Sequence, residues 1–497
     1  MRKRDVLEHL TIGRRVAEEE SDELASYFVE TDQWRKMLAG DVDIVFGPKG
    51  SGKSAIYATL LNRSDGLLDK RIMLVSAENP RGAPAFRDLV TNPPASEAEF
   101  VSLWKLFALS LIGRALVRLH VQGEAARQVQ STLHDAGLLP GRLVTLRTIV
   151  RAAREYARRL MHAEALETTL NVDALTGLPT GVSARITLAE PSSRQRLAGF
   201  VTADELLELA NQALLDAGLT VWVLFDRLDI AFAESRELEA RGLRALFKVY
   251  LDMMALRAIR LKVFLRTDIW RAITATGFRE ASHITRQMTL AWGEPALLNL
   301  VVRRLLRNRP LTDLYGVGEG DVLASVDRQR EFFDRLVPEW VDAGRNLRTF
   351  EWLVGRVRDG TKQVAPRELI HLLSRARDVQ LERLERGERE PPGEPLFSTQ
   401  ALRDALPEVS KVRLEQTIFA EYPDSKAFLQ ALEREKTHQT TKTLATIWQI
   451  SEDTATAIAT GLVELGFFEQ RGTRTNPSYW VPFLYRPALG MVQGWAE

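Results

Sequence analysis

Residues 47–54 read Gly47-Pro48-Lys49-Gly50-Ser51-Gly52-Lys53-Ser54. This is a complete G-x-x-x-x-G-K-S phosphate-binding loop, and its flanks suit it. Val42-Asp43-Ile44-Val45-Phe46 enters the loop as a short buried strand. Ser54-Ala55-Ile56-Tyr57-Ala58-Thr59-Leu60-Leu61 leaves it as the start of a helix. Gly47, Gly50 and Gly52 let the backbone wrap with its N–H groups pointing inward, and the N-terminus of the following helix favours negative charge. In this frame the segment Gly47, Pro48, Lys49, Gly50, Ser51, Gly52, Lys53, Ser54 and Ala55 cradles a nucleotide's phosphates. Lys53 reaches the β- and γ-phosphates, and the Ser54 hydroxyl is a ligand for Mg²⁺.

Working outward, further apolar strands alternate with helices. Arg71–Ser76, Val221–Asp226, Leu261–Arg266 and Gln287–Leu290 join Val42–Phe46 as five candidate strands, and Ala184–Leu188 alternates as an extra one. This alternation predicts a parallel sheet covered on both faces, an α/β core. Glu97–Leu119 is a long apolar-periodic helix, and the arginine-rich stretch after it predicts a helical insertion over about 80–200. Val201–Ala217 is another helix, with Thr202 as N-cap and Glu205 three residues on. A helix also follows at about 235–259. From Trp292 the pattern is helical to 385. A charged, proline-rich linker covers 386–397, and 398–497 closes with helix, turn, helix and two strands around Gly472. The expected organisation is an N-terminal helical segment (1–40), a core (41–291), a helical lid (292–385), the linker, and a C-terminal winged-helix domain (398–497).

A phosphate loop needs a carboxylate at a neighbouring strand end to hold the Mg²⁺ shell, because sheets of this kind gather ligands at the carboxyl ends of their strands. Asp226 ends the most apolar strand and fits. The residue after it is Arg227, so the nearest candidate to orient an attacking water is Asp229, with an N-cap or ion-pair role as its rival. Arg266 or Thr267, at the next strand end, is placed to sense the γ-phosphate; a structural ion pair is the alternative for Arg266. Pro366 sits near the first turn of a helix, as proline prefers, and Arg367 then projects from the lid towards the nucleotide. Arg279 and Arg286 are candidates for an arginine finger acting on a neighbouring subunit.

At 497 residues the chain exceeds one core, since roughly 100–200 residues per domain is usual. Its 45% apolar and 27% charged residues are ordinary for a globular protein, and a net charge of +1 suggests neither a polyanion-coating surface nor an acidic tail. With no cysteine, disulfides, zinc fingers, iron–sulfur clusters and cysteine nucleophiles are excluded, which fits a cytoplasmic location. The seven histidines are scattered without metal-ligand spacing. Met1-Arg2-Lys3-Arg4-Asp5 is not followed by an apolar stretch, so no secretory signal is expected. Lys105, Arg114 and Arg118 within the most apolar helix point to a buried or amphipathic element, not a membrane span.

The second helix of the C-terminal pair, from Ser451 to Glu464, opens with Glu452 and Asp453 and has no Arg, Lys, Asn or Gln in its first turn. A major-groove reader needs such donors, and acidic residues there repel phosphate. Base-specific reading is not expected. Arg471 and Arg474 on the wing could touch a nucleic-acid backbone, so non-specific DNA remains a candidate partner; protein–protein packing is at least as good a use of that surface.

Together these residues resemble an AAA+-related P-loop ATPase of the STAND, KAP and origin-recognition kind. The likeness rests on Gly47–Ser54, Leu224–Asp229, the strand ending at Arg266, the Pro366-Arg367 lid helix and the winged helix. It is greatest to bacterial ATPases that open with an Ile-Gly-Arg and Ala-Glu-Glu-Glu stretch, here Ile12–Glu20, many of which lie near anti-phage defence genes. The resemblance implies ATP with Mg²⁺, nucleotide-dependent homo-oligomerisation, and coupling to an effector protein from a neighbouring gene. Many AAA+ enzymes place Glu directly after the Asp; Arg227 breaks that pattern and implies slow hydrolysis, as in a switch. A DNA-handling ATPase and a non-hydrolysing, nucleotide-bound scaffold are the rival expectations. No Asn-Lys-x-Asp signature of guanine recognition is present, which favours ATP.

Overall fold

The computed structural model describes residues 2–13, 27–78, 96–139, 145–166, 200–228, 235–275, 277–342, 347–473 and 476–496, with positions 89, 94, 186–187, 191, 193 and 196 between them. The chain divides into two units. One contains Asp32–Phe46 and Lys53–Thr289, the other Met1–Thr31, Gly47–Gly52 and Leu290–Glu497.

The first unit is built on β1 (Ile44–Gly47), β2 (Ile72–Ser76), a two-residue pair β3 (Ile186–Thr187) and β4 (Val201–Thr202), then β5 (Thr220–Phe225), β6 (Ile259–Arg266) and β7 (Gln287–Thr289). Five of these form a parallel sheet in the order β2-β5-β6-β1-β7. Ser76 stands opposite Leu224, Phe225 opposite Val263 and Phe46 opposite Thr289. The central strands are apolar along their length because helices cover both faces.

Helix Glu97–Arg118 is one of those covers. Ser96 caps it, accepting from Glu99 N at 3.1 Å. Trp104 and Phe107 lie edge-on to Phe225 of β5, with ring centroids 6.0 and 6.2 Å away. Trp104 Nε1 also donates to Gly242 O at 2.8 Å, on helix Arg236–Met253. By length and composition Glu97–Arg118 could cross a membrane, but 78% of its most apolar window is buried in the unit. Lys105 satisfies its charge against Asp204 and Asp252 at 2.7 and 2.8 Å. Within the expected insertion, then, the first helix is a layer of the sheet's own core; helices Glu124–Asp135 and Leu146–Leu166 follow it. The cap expected at Thr202 is present as a reciprocal box, Glu205 N to Thr202 Oγ1 at 2.9 Å and Thr202 N to Glu205 Oε2 at 2.7 Å, opening helix Ala203–Asp216.

A buried charge cluster fixes the start of β1. Lys262 of β6 and Asp43 are both 1% exposed, with Nζ 2.9 Å from Oδ1. The Lys262 ammonium also donates to Val42 O and lies 4.2 Å from the Trp222 ring. Burial pulls the Lys262 amine below its ordinary range, opposed by the Asp43 charge. Val263 N donates to Asp43 O at 2.9 Å, so the same residues lock β6 beside β1.

The second unit joins the lid and the C-terminal domain. Its lid helices include Glu294–Leu306, Val326–Leu336, Thr349–Arg356 and Pro366–Glu385. The N-terminal helix Lys3–His9 belongs here, with Val6 and Leu7 buried. Arg377 donates to Leu10 O at 2.7 Å, and Thr11 N to Asn308 Oδ1 at 2.7 Å. The expected linker 386–397 is a packed segment: Lys3 Nζ donates to Pro391 O and Gly393 O, each at 2.6 Å, and Leu396 and Phe397 are buried. Its prolines end the preceding helix without freeing the chain, because the apolar pair beyond them enters the core.

The C-terminal domain carries β8 (Lys436–Thr440), helices Thr441–Trp448 and Glu452–Glu464, β9 (Glu469–Gly472), β10 (Pro477–Trp480) and β11 (Val492–Trp495), with sheet order β11-β8-β10-β9. The helix pair and β9–β10 hairpin match the expected winged helix; β8 and β11 were not foreseen. Domain and lid are joined by Gly360 N to Gly466 O at 2.7 Å and by the buried pair Arg413–Glu368 at 3.2 Å.

Candidate nucleotide site

Gly50 and Gly52 adopt φ of +84° and +99°, a region that L side chains rarely enter, which turns successive loop amides the same way. A Cβ on Gly47 would collide with Ser51 Oγ, and Ser51 N closes a turn on Pro48 O at 3.2 Å. Within the second unit, Trp292 Nε1 donates to Ser51 O at 2.8 Å and so pins the loop's midpoint. A Cβ on Gly50 would lie 3.1 Å from Arg367 Cβ, so Arg367, at the first turn of helix Pro366–Glu385, stands directly against the loop. Lys49 turns to the C-terminal domain, its Nζ 2.5 Å from Glu421 Oε1. Its side chain is thus engaged by a carboxylate, and what Lys49 offers a phosphate is its backbone N–H. Ser51 Oγ is buried with no hydrogen-bond partner.

In the sheet unit, Lys53 opens the ten-residue helix Lys53–Asn62, with Ser54 and Ala55 in its first turn. The carboxyl edge of the sheet carries Ser76 at the end of β2, Asp226 just after β5 and Arg266 at the end of β6. Asp226 is 4% exposed. Thr267, next after β6, has a buried Oγ1 without a hydrogen-bond partner. Tyr57, from the helix that Lys53 opens, donates to Glu78 O at 2.8 Å and lies 2.5 Å from Ser76 Oγ.

Within the sheet unit, the Ser54 hydroxyl at a helix N-terminus and the buried carboxylate of Asp226 are oxygen ligands of the kind that suit Mg²⁺, which takes one or two from protein and completes its shell from phosphates and water. Among the described residues no cluster of three acidic or histidine side chains forms a separate metal cage.

The strand order β2-β5-β6-β1-β7 is that of AAA+ ATPases. No family model matches the sequence, and no curated protein matches it. Among solved structures the chain is similar to Cdc6p from Pyrobaculum aerophilum, with 12% identity over 94% of this chain and 96% of that one, at a TM-score of 0.30. It is also similar to the ORC2 protein of Aeropyrum pernix in ADPNP–ADP complexes, with 13% identity over 95% of this chain and 93% of that one, at a TM-score of 0.31. The fold rests on its own strand order.

The remaining sequence candidates separate clearly. Arg266 is 8% exposed and grips Asp268 with Nε and Nη2, at 3.1 and 2.7 Å. Its ion-pair role is therefore present. Arg286 is engaged within the sheet unit: its Nε lies 2.8 Å from Asp43 Oδ2 and it donates to Gly40 O, because it precedes β7 and so sits at the amino edge of the sheet. Arg279 is exposed on a short 3₁₀ turn, Arg279–His283. On the wing, Arg471 is held by Glu469 at 3.1 Å and lies over the Trp480 ring at 4.2 Å. Asp229, Arg474 and residues 14–26 fall outside the described residues.

Sequence reasoning passed over Tyr57, Ser76 and Glu78. The available signal was that Glu78 comes two residues after a predicted strand, at the edge where such sheets gather their ligands.

Proposed function

We propose that the chain is an ATP-binding, slowly hydrolysing molecular switch. The observation that carries this is the helix that begins Lys53-Ser54, directly after the phosphate-loop sequence, in a unit whose parallel sheet has the buried Asp226 just after β5. Lys53 and the amides of 47–55 take the phosphates. Ser54 and Asp226 would hold Mg²⁺, which supplies charge neutralisation at the β- and γ-phosphates when bound. Thr267 and Arg367 are the proposed reporters of the γ-phosphate. Slow turnover follows from Arg227 standing where a water-orienting Glu is common.

The output is proposed to pass to the C-terminal domain and from there to a partner, a second copy of the chain or a separate effector protein. The contact of Lys49 with Glu421 supports this route. The acidic start of helix Glu452–Glu464 and the engaged Arg471 give no support to a DNA-handling role. Mass photometry with and without ATP tests assembly directly. A single mass under both conditions would remove oligomerisation from the proposal, and DNA-stimulated turnover that falls steeply with salt would restore the DNA-handling reading.

A further inference from the structure

Arg227 follows Asp226 with φ +57°, so the residue directly after the strand-end aspartate is a cation on a left-handed backbone. A different acidic residue, Glu78, neighbours Asp226 across the sheet by register. β2 and β5 run parallel with Ser76 opposite Leu224, and Ala77 N donates to Leu224 O at 2.9 Å. Two residues beyond that matched pair come Glu78 and Asp226, both past the ends of their strands at the carboxyl edge. Glu78 is 0% exposed.

The main chain of Glu78 is held from two sides. Tyr57 donates to its carbonyl at 2.8 Å, and Ser76 Oγ donates to the same oxygen. Tyr57 lies one turn after Lys53, so the helix that leaves the phosphate loop also fixes Glu78. Burial pushes the Tyr57 hydroxyl well above its ordinary range, the Ser76 hydrogen bond opposes this, and the negative charges of Asp226 and Glu78 raise it further. One hydroxyl therefore feels both carboxylates. The carboxyl ends of the strands in such a sheet are where it gathers its ligands, and Glu78 sits buried at that edge.

We infer that Glu78 is the carboxylate that orients the attacking water and accepts its proton. This rests on the ATPase reading above and names the base that reading lacks. The water oxygen bonds to the γ-phosphorus as its proton passes to Glu78. The bond from γ-phosphorus to the β–γ bridging oxygen breaks, its electron pair leaving on ADP. Glu78 then returns the proton to phosphate or solvent. Tyr57 and Ser76 are positioning residues.

The test uses the full chain with Mg²⁺-ATP, scoring turnover and, separately, affinity for a fluorescent N-methylanthraniloyl ATP. Glu78→Gln should lower turnover about 100-fold, the usual scale for a general base, with affinity within about threefold of wild type and ATP rather than ADP recovered from the bound fraction. Glu78→Ala should regain part of its turnover with added formate, which a purely structural carboxylate would not allow. The inference is overturned if Glu78→Gln turns over like wild type, or if affinity is lost with activity and formate restores nothing. A wild-type protein that binds ATP without turnover under any condition overturns the hydrolase reading itself, a result distinguishable from either.

Discussion

Lys49, inside the phosphate loop, holds Glu421 with Nζ 2.5 Å from Oε1, and the Gln416 carbonyl lies 3.4 Å from the same amine. Gln416 belongs to a π-helical turn, Leu414–Phe419, between the lid and the winged helix. Such turns are rare and tend to occur at functional positions. A loop lysine bound to a carboxylate is a lysine withheld from phosphate.

Releasing it should therefore strengthen nucleotide binding. Glu421→Gln should lower the Kd for ATP about threefold, the order expected for freeing one half-exposed charge near a polyanion. By reciprocity, ATP should weaken the pair and increase amide hydrogen exchange across 414–421. Unchanged affinity in Glu421→Gln would show the contact to be packing alone.

Gly50→Ala tests the cradle. A left-handed φ of +84° with a Cβ 3.1 Å from Arg367 Cβ leaves no relaxed place for a methyl group. The left-handed backbone alone costs about 1–2 kcal/mol, and the clash must push Arg367 aside. ATP affinity should fall at least about tenfold, since 1.4 kcal/mol is a factor of ten. Wild-type affinity in this variant would place the nucleotide elsewhere.

Lys262→Met should lower stability by about 3–5 kcal/mol, because it leaves Asp43 buried with its strongest partner gone. Lys262→Met with Asp43→Leu should recover part of that loss, although Arg286 is then left facing an apolar group. Denaturant titration of the two variants reads the difference; equal losses would mean that the cluster does not act as a unit.

His438 supplies a pH dependence. Burial lowers its pKa from 6.5, Arg471 and Arg486 lower it further, and Glu469 opposes them. Between the folded and unfolded values the unfolded chain binds more protons, so this contribution is complete above about pH 6.5 and is lost as pH falls towards the folded value. The ring stacks on Trp495 with centroids 4.1 Å apart. Thermal unfolding of wild type should weaken more than that of His438→Gln between pH 7.5 and 5.5; parallel curves would exclude the histidine as the cause.

Local features of the site were legible in the sequence. The loop's glycines, the Thr202–Glu205 cap and the apolar run of β5 each follow from residues adjacent in the chain. So does the start of helix Pro366–Glu385, because proline suits the first turn of a helix. Long-range pairs were not legible. Lys49 meets Glu421 across 372 residues, and Lys262 meets Asp43 across 219. No periodicity reports such partners, which is why Arg286 read as a free finger when it is an anchor for Asp43. Residues 386–397 read as a linker because proline and charge dominate them, while Leu396 and Phe397 decide their packing.

The central claim is that Lys53 and its loop bind ATP for slow hydrolysis. Isothermal titration of wild type and Lys53→Ala with Mg²⁺-ATP, paired with a phosphate-release assay, tests it most directly. Wild type should bind and release phosphate at no more than about one turnover per second, below the median enzyme rate, and Lys53→Ala should lose both properties. Equal binding by the two proteins would contradict the account.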